Sequence, residues 1–200
     1  MSKGDDTRAE ILDEGMRLAS RVGLSGLSIG NLAEALSMSK SGLFAHFQSK
    51  EALQIQVLDR AAGLFVQQVV RPALEAPRGE PRLTALFERW LSWGRSTALP
   101  GGCLFVSAAT ELDDRPGPVR DRLVALQKDW LALIARLVRS ASEERHFRED
   151  LDPEQLAHDL YAVMLGYHHA ARLLRDPRAE ERARAGYELL RSAAKRRRSA

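Results

Sequence analysis

The chain has 200 residues, of which 44% are hydrophobic and 28% charged, a composition typical of globular proteins and not of disordered or fibrous ones. No apolar stretch reaches the ~18 residues that a membrane helix needs. The first residues lack the apolar core of a secretory signal, so we expect a cytoplasmic protein. The single cysteine, Cys103, excludes disulfide scaffolds and cysteine-rich metal sites. The net charge of +3 arises at the C-terminus, where the last ten residues carry five bases and no acid.

Helical periodicity predicts an all-α chain of about nine helices. The first is expected to end at Gly23, and serines at positions 28, 39 and 49 are the predicted N-caps of the next three. A proline- and glycine-rich stretch over 71–81 predicts a loop, and Asp152-Pro153 and Asp176-Pro177 predict the starts of the last two helices. In chain order, the predicted helices cover about residues 6–22, 28–36, 39–47, 49–70, 83–97, 103–112, 119–137, 153–174 and 177–194.

Three of these helices are short and lie within residues 6–47. Only Ser37 and Met38 join the second to the third, which is the spacing of a helix-turn-helix unit, where one helix braces another in the DNA major groove. The third helix begins at Ser39, and its free backbone amides favour a phosphate. The N-terminal region is therefore predicted to bind DNA.

At residues 27–53 the sequence reads LSIGNLAEALSMSKSGLFAHFQSKEAL and resembles the DNA-binding domain of tetracycline-repressor-type (TetR) transcriptional regulators. The resemblance covers about residues 6–60. A later stretch, GGCLFVSAATELDDRPGPVRD, resembles the effector domains of one branch of that family. The features that match the family pattern are the Ser28 cap, the Leu32-Ala33 pair, the Ser37-Met38-Ser39 turn, the Phe44-Ala45-His46-Phe47 ending and Lys50-Glu51-Ala52-Leu53.

The resemblance implies that the third helix reads an operator in the major groove. Three positions depart from the pattern: Ser37 stands where glycine is usual and φ > 0 is favoured, Gly42 offers no side chain to a base, and Phe44 replaces a tyrosine. The serines also have a purely structural reading as helix caps, and Phe44 has one as a core residue. The expected DNA contacts are Ser28, Ser39, Lys40, Ser41, Gly42, Leu43, Phe44, His46 and Lys50.

The resemblance implies that the rest of the chain binds a small molecule and dimerises. Residues 1–50 are then the DNA-binding domain and 51–194 the ligand-binding and dimerisation domain, with helix 49–70 linking them and 195–200 forming a disordered basic tail. Leu156, Leu160, Val163, Tyr167, Tyr187 and Leu190 are the expected dimer contacts. The predicted ligand pocket, largely apolar, is lined by Trp90, Trp93, Phe105, Glu111, Trp130, Tyr161, Met164 and His168.

The sequence thus predicts a homodimeric repressor that a small-molecule ligand releases from a palindromic operator, with no cofactor, no metal and no enzyme activity. Adjacent His168 and His169 point ~100° apart on a helix, which disfavours a shared metal. The aromatic residues also fit ordinary core packing, and Glu111 fits a solvent-exposed acid. Two alternatives stay open: a helical enzyme that uses Cys103, and a ligand-binding module without specific DNA binding. Cys103 itself fits either a reactive thiol at a helix start or a small buried residue.

Overall fold

A computed structural model describes residues 3–195, all of whose regular structure is helical apart from one isolated bridge between Phe147 and Lys195. The basic residues from 196 onward lie outside the described part. Within it, no helix is long and apolar enough to cross a membrane. The helices are α1 (Lys3–Val22), α2 (Ile29–Ala35), α3 (Lys40–Phe47), α4 (Lys50–Phe65), a π-helical turn (Val66–Val70), α5 (Arg71–Leu74), α6 (Glu80–Trp93), α7 (Leu104–Leu112), α8 (Pro118–Glu143), α9 (Pro153–Arg172) and α10 (Ala179–Ala194).

The prediction of an all-α chain is confirmed. Since α4, the π-helical turn and α5 follow one another without a break, residues 3–195 hold nine continuous helical segments. The helical segment that starts at residue 50 runs to Leu74, so the loop predicted over 71–81 is shorter than expected. A π-helical turn changes the hydrogen-bond register inside a helix, and apolar periodicity gives no sign of it.

The two Asp-Pro starts behave differently. The Asp152 carboxylate accepts the amides of Glu154 and Gln155, so α9 begins at Pro153 as predicted. The Asp176 carboxylate instead accepts the amide of Arg178, and α10 begins only at Ala179. Asp152 thus accepts the amides two and three residues on, as a helix N-cap does, whereas Asp176 accepts the amide two residues on, which forms a local turn that competes with the first turn of a helix.

Two compact units make up the described chain. The first contains the residues up to Phe65 together with Gly94–Leu126, and the second contains Val66–Trp93 together with the residues from Gln127 onward. In the first unit, Ile11, Leu32 and Phe47 are among the fully buried side chains, and in the second Phe87 and Phe147 are. The first unit therefore combines α1–α4 with α7 and the first turns of α8.

The turn between α2 and α3 carries local strain. Ser37 has φ +54°, the left-handed conformation, while its amide donates to the Glu34 carbonyl and the next amide, of Met38, to the Ala33 carbonyl. This pair of bonds is a Schellman motif, which normally has glycine at the position of Ser37. The sequence-based expectation of φ > 0 at this position is confirmed.

Replacing Ser37 by glycine should therefore stabilise the protein. A side chain at positive φ strains the backbone, and its removal should raise the free energy of unfolding by about 1 kcal/mol. In a chain of this size that is about 2–4 °C in Tm by calorimetry. Ser37→Ala is the matched control, because it removes the hydroxyl and keeps the Cβ, so its Tm should not rise. A Tm rise shared by both variants would contradict this account.

Candidate nucleic-acid interface

Helix α3 has one buried face and one open face. Leu43 and Phe47 are buried, whereas Lys40, Ser41 and Phe44 are exposed. Phe44 is 53% exposed, which is unusual for so large an apolar ring. The open face of α3 therefore offers a cation, a hydroxyl and an aromatic ring to a partner. Leu43, which was predicted from the sequence to contact DNA, has no exposed surface and packs inside the first unit.

Ser28 and Ser39 both cap helices. Ser28 Oγ accepts the Asn31 amide at 3.2 Å while Asn31 Oδ1 accepts the Ser28 amide at 2.8 Å, which completes a capping box at the start of α2. Ser39 Oγ accepts the Gly42 amide at 3.1 Å. A hydroxyl that accepts a bond from a backbone amide still has its own proton to donate. Capping and a phosphate contact are thus compatible at both serines.

Lys40 lies along the start of α2. A Cβ added to Gly30 would stand 3.6 Å from Lys40 Cε and 3.8 Å from Ser28 Oγ, so the lysine and the serine flank the same point of the surface. At the other end of the unit, Lys50 Nζ donates to the Ser25 carbonyl at 2.6 Å and keeps two protons for other acceptors. The exposed cations expected from the sequence are therefore both present.

Arg8 is occupied by the helices around it. Its guanidinium donates to the His46 carbonyl at 3.3 Å and to the Gln56 side chain, and it lies 5.3 Å from the centre of the Phe47 ring. These contacts fasten α1 to the end of α3 and to α4. His46 is half-buried, with its ring tilted against Phe47 at 6.2 Å. Glycine at position 42 leaves room for the cap, because a Cβ there would approach Ser39 Oγ to 3.0 Å.

Glu111 has a role in this unit that was not predicted from the sequence. Its carboxylate accepts backbone amides of Leu24 and Ser25, at 3.1 and 2.7 Å, in the turn between α1 and α2. Glu111 follows Leu24 by 87 positions, so no local pattern could reveal the contact. The only signal in the sequence is an acid on an otherwise apolar helix.

The other predicted ligand residues divide between the units. Phe105 belongs to the first, where its ring meets Phe65 edge-on at 5.9 Å. In the second unit, Trp90, Trp93 and Met164 are buried, Trp130 and Tyr161 are half-buried, and the Tyr161 hydroxyl bonds Gln127 at 2.7 Å.

His168, the last of the predicted ligand residues, lies in the second unit with an inward-facing nitrogen. Nε2 is buried and has no hydrogen-bond partner within residues 3–195. Burial lowers the pKa of the imidazole, and the nearby charges of Arg172 and His169 lower it further. The ring is therefore neutral near pH 7, with one polar atom that the described residues leave unsatisfied.

The predicted dimer residues mostly face the interior of the second unit. Leu156, Leu160, Tyr167 and Tyr187 are buried, and Tyr187 stacks on Phe87 at 4.4 Å. Val163 and Leu190 are half-buried. A different set of leucines is exposed on α9 and α10 and just beyond α9: Leu165, Leu173, Leu174 and Leu189, at 38%, 71%, 62% and 73%.

Two family profiles match the chain: residues 11–57 match "Bacterial regulatory proteins, tetR family" and residues 79–187 match "Tetracyclin repressor-like, C-terminal domain". The HTH-type transcriptional repressor NemR of Escherichia coli K12 is 25% identical over 172 residues, which is 85% of this chain and 86% of that protein. A TetR transcriptional regulator from Chloroflexus aurantiacus superimposes with a TM-score of 0.84 at 26% identity, covering 96% of each chain. A cysteine mutant of the TetR-family regulator CifR, in complex with a 26-bp operator, gives 0.77 at 26% identity, covering 92% of this chain and 96% of that one.

The depressed pKa of His168 predicts a specific pH dependence. In the unfolded chain the imidazole takes up a proton as the pH falls through about 6.5, whereas in the folded chain it stays neutral to lower pH. Stability should therefore decline as the pH falls from 7.5 to 5.5. His168→Phe should flatten that decline, measured as Tm at both pH values. His158→Gln, which removes an exposed imidazole from the same helix and adds no apolar surface there, is the control, and an equal effect of the two would contradict the assignment.

Proposed function

This chain belongs to the TetR family of bacterial regulatory proteins and is a ligand-responsive DNA-binding repressor, and we propose that it holds its operator with the open face of α3 and the start of α2. Lys40 and Lys50 bind phosphates, helped by the hydroxyls of Ser28 and Ser39. Ser41 and Phe44 face the base edges, where a phenyl ring suits the methyl group of thymine.

One observation carries this assignment: the half-exposed Phe44 ring stands beside exposed Lys40 and Ser41 on a helix whose other face is buried. Covering an apolar ring that is exposed to water lowers the free energy, so a partner that buries Phe44 binds more tightly. The flanking lysine supplies the charge that attracts a phosphate backbone. Leu43 supports the helix from inside and takes no part in the contact.

Lys40→Ala should weaken operator binding and make it less sensitive to salt. The operator comes first from selection of a random duplex library by the wild-type protein. The slope of log K against log salt should fall by about 0.9 for each phosphate that is no longer neutralised, and so by about 2 in a dimer. Fluorescence anisotropy at several salt concentrations measures both the affinity and the slope.

Lys128→Ala is the matched control, because it removes an equal charge from an exposed position on α8. Its operator affinity and salt slope should equal those of the wild type. An unchanged slope in Lys40→Ala would show that Lys40 touches no phosphate. Selection that enriches no sequence from a well-folded protein would favour a ligand-binding module without specific DNA binding.

We propose that the effector binds in the second unit next to His168. Its buried Nε2 is a polar atom without a partner among the described residues, and the neutral ring can either donate or accept one hydrogen bond. The effector that suits such a site is largely apolar and carries one hydrogen-bonding group. Trp90, Tyr161 and Met164, in the same unit, are the proposed apolar lining.

We propose that the protein is a two-fold symmetric dimer that contacts its partner through the exposed side of α9 and α10. Along α9, exposed residues recur at His158, Ala162, Leu165 and His169, which is the spacing of one helix face. Leu189 adds a largely exposed apolar side chain from α10. A symmetric dimer presents two α3 helices to the two halves of an inverted repeat.

Leu165→Lys should dissociate this dimer. Burying an unpaired ammonium in an apolar interface costs several kcal/mol, so the dissociation constant should rise by about two orders of magnitude or more. Sedimentation equilibrium measures it directly. Leu74→Lys is the control, because Leu74 on α5 is also 38% exposed. If both variants stay dimeric, the contact lies on another surface.

We propose that the chain has no enzyme activity. The alternative enzyme requires Cys103 as a nucleophile, but the residue is 2% exposed and stands at the N-cap of α7. A thiol so deeply buried is not open to a substrate in this conformation. Cys103→Ser should therefore keep full operator affinity, and loss of an acyl- or thiol-transfer activity in that variant would support the enzyme.

A further inference from the structure

The turn that joins α1 to α2 is held by a side chain from α7. Glu111 accepts the amides of Leu24 and Ser25 with its two carboxylate oxygens, one amide to each. Gly23 makes this approach possible in two ways. It takes φ +83°, which ends α1, and it has no Cβ, which would otherwise lie 2.7 Å from Glu111 Oε1.

The same two turn residues are also bonded through their other polar groups. The Leu24 carbonyl accepts Gln54 Nε2 at 2.6 Å, and the Ser25 carbonyl accepts Lys50 Nζ at 2.6 Å. Arg115, just beyond α7, donates to the Ser25 hydroxyl at 3.2 Å. Four side chains, two from α4 and two from the α7 segment (residues 101–115), thus fix a two-residue turn.

A second attachment lies just before α7. The Gly101 amide donates to Ser20 Oγ at 3.1 Å. A Cβ on Gly101 would lie 1.4 Å from the Ser20 carbonyl oxygen, so no other residue fits in this arrangement. The α7 segment is therefore attached before and after α7 to the C-terminal end of α1 and its turn.

The position of this turn decides where the proposed DNA contacts stand. Ser28, the cap of α2, follows Ser25 by three residues, and Lys50, the first residue of α4, bonds to Ser25 directly. Helix α3 lies in the chain between α2 and α4. A shift of the turn therefore moves the elements that flank α3 on both sides.

We propose that Glu111 is a positioning residue for operator binding, through which the α7 segment sets the geometry of the DNA-binding helices; this inference rests on the proposed function. The α7 segment falls within the part of the chain that matches the C-terminal family profile, and the turn falls within the part that matches the N-terminal one. Both chain connections of the region Gly94–Leu126 lead into the second unit, through α6 and through α8. Glu111 thus links the effector half of the sequence to the DNA-binding half.

The test compares three full-length variants. Glu111→Gln keeps the size of the side chain, but its NH2 group faces an amide that needs an acceptor. Glu111→Asp keeps the charge and is one methylene shorter, so it cannot reach both amides. Asp114→Asn is the matched control, because it removes one negative charge from an exposed position in the same segment.

For each variant, two dissociation constants are measured per active molecule, with the active fraction taken from stoichiometric titration. One is for the operator selected by the wild type and the other for a duplex of the same length with scrambled half-sites. Glu111→Gln should bind the operator about tenfold more weakly, which is the loss expected from one unsatisfied amide, and the scrambled duplex within about twofold of wild type. Glu111→Asp should show the same selective loss of operator affinity. Asp114→Asn should bind both duplexes as tightly as the wild type does.

A merely structural role would give a different result. It would lower Tm and the active fraction and leave both dissociation constants per active molecule unchanged, which would overturn the proposal. Equal weakening toward both duplexes would also overturn it, because misplacement of α2 and α4 must reduce specific binding more. If the wild type selects no operator at all, the proposed function itself fails and this inference fails with it. If the wild type selects an operator and the Glu111 variants bind it with unchanged affinity, the inference is rejected and the proposed function stands.

Discussion

The arrangement of the first unit depends on how the chain passes from α1 to α2. Leu24 and Ser25 have no regular secondary structure, yet side chains accept hydrogen bonds from both of their amides and donate hydrogen bonds to both of their carbonyls. A buried or half-buried backbone group that lacks a partner is costly, so these bonds restrict the turn to one geometry. Since α2 starts a few residues later and Lys50 begins α4, that one constraint aligns the elements on either side of α3. The side chains on the open face of α3 are not needed for the core, so they are available to contact DNA.

The helices were predictable because their signals are local. A helix cap accepts backbone amides only a few residues away, as Ser28, Ser39 and Asp152 do. The stop at Gly23 depends on a single φ angle. Both kinds of signal can therefore be recognised directly in the sequence. The left-handed Ser37 was predictable for the same reason. The π-helical turn after Phe65 and the late start of α10 were not, because each follows from competition between hydrogen-bond patterns of similar energy.

The site was only partly predictable, since exposure depends on which elements dock together. The sequence predicted DNA contacts at both Leu43 and Phe44, but only the packed unit shows that Leu43 is inside while Phe44 is half-exposed. Helix α9 carries apolar residues on two of its faces. The sequence alone does not show that Leu156 and Leu160 face inward while Leu165 faces out. Glu111 is the extreme case, because its partners are more than eighty residues away and are backbone amides, which carry no sequence identity.

The energy of the Glu111 interaction is of the size that regulation requires. Hydrogen bonds to a charged group contribute about 1.5–3 kcal/mol each, and the coupling between an effector site and a second ligand is typically about 1–3 kcal/mol. Making or breaking a single hydrogen bond between a backbone amide of this turn and the Glu111 carboxylate is therefore sufficient to account for such coupling. An effector can change operator affinity only as far as it binds the two conformations differently. A carboxylate that bonds two neighbouring amides suits that role, because a small displacement of α7 breaks a strong, short-range interaction without unfolding any helix.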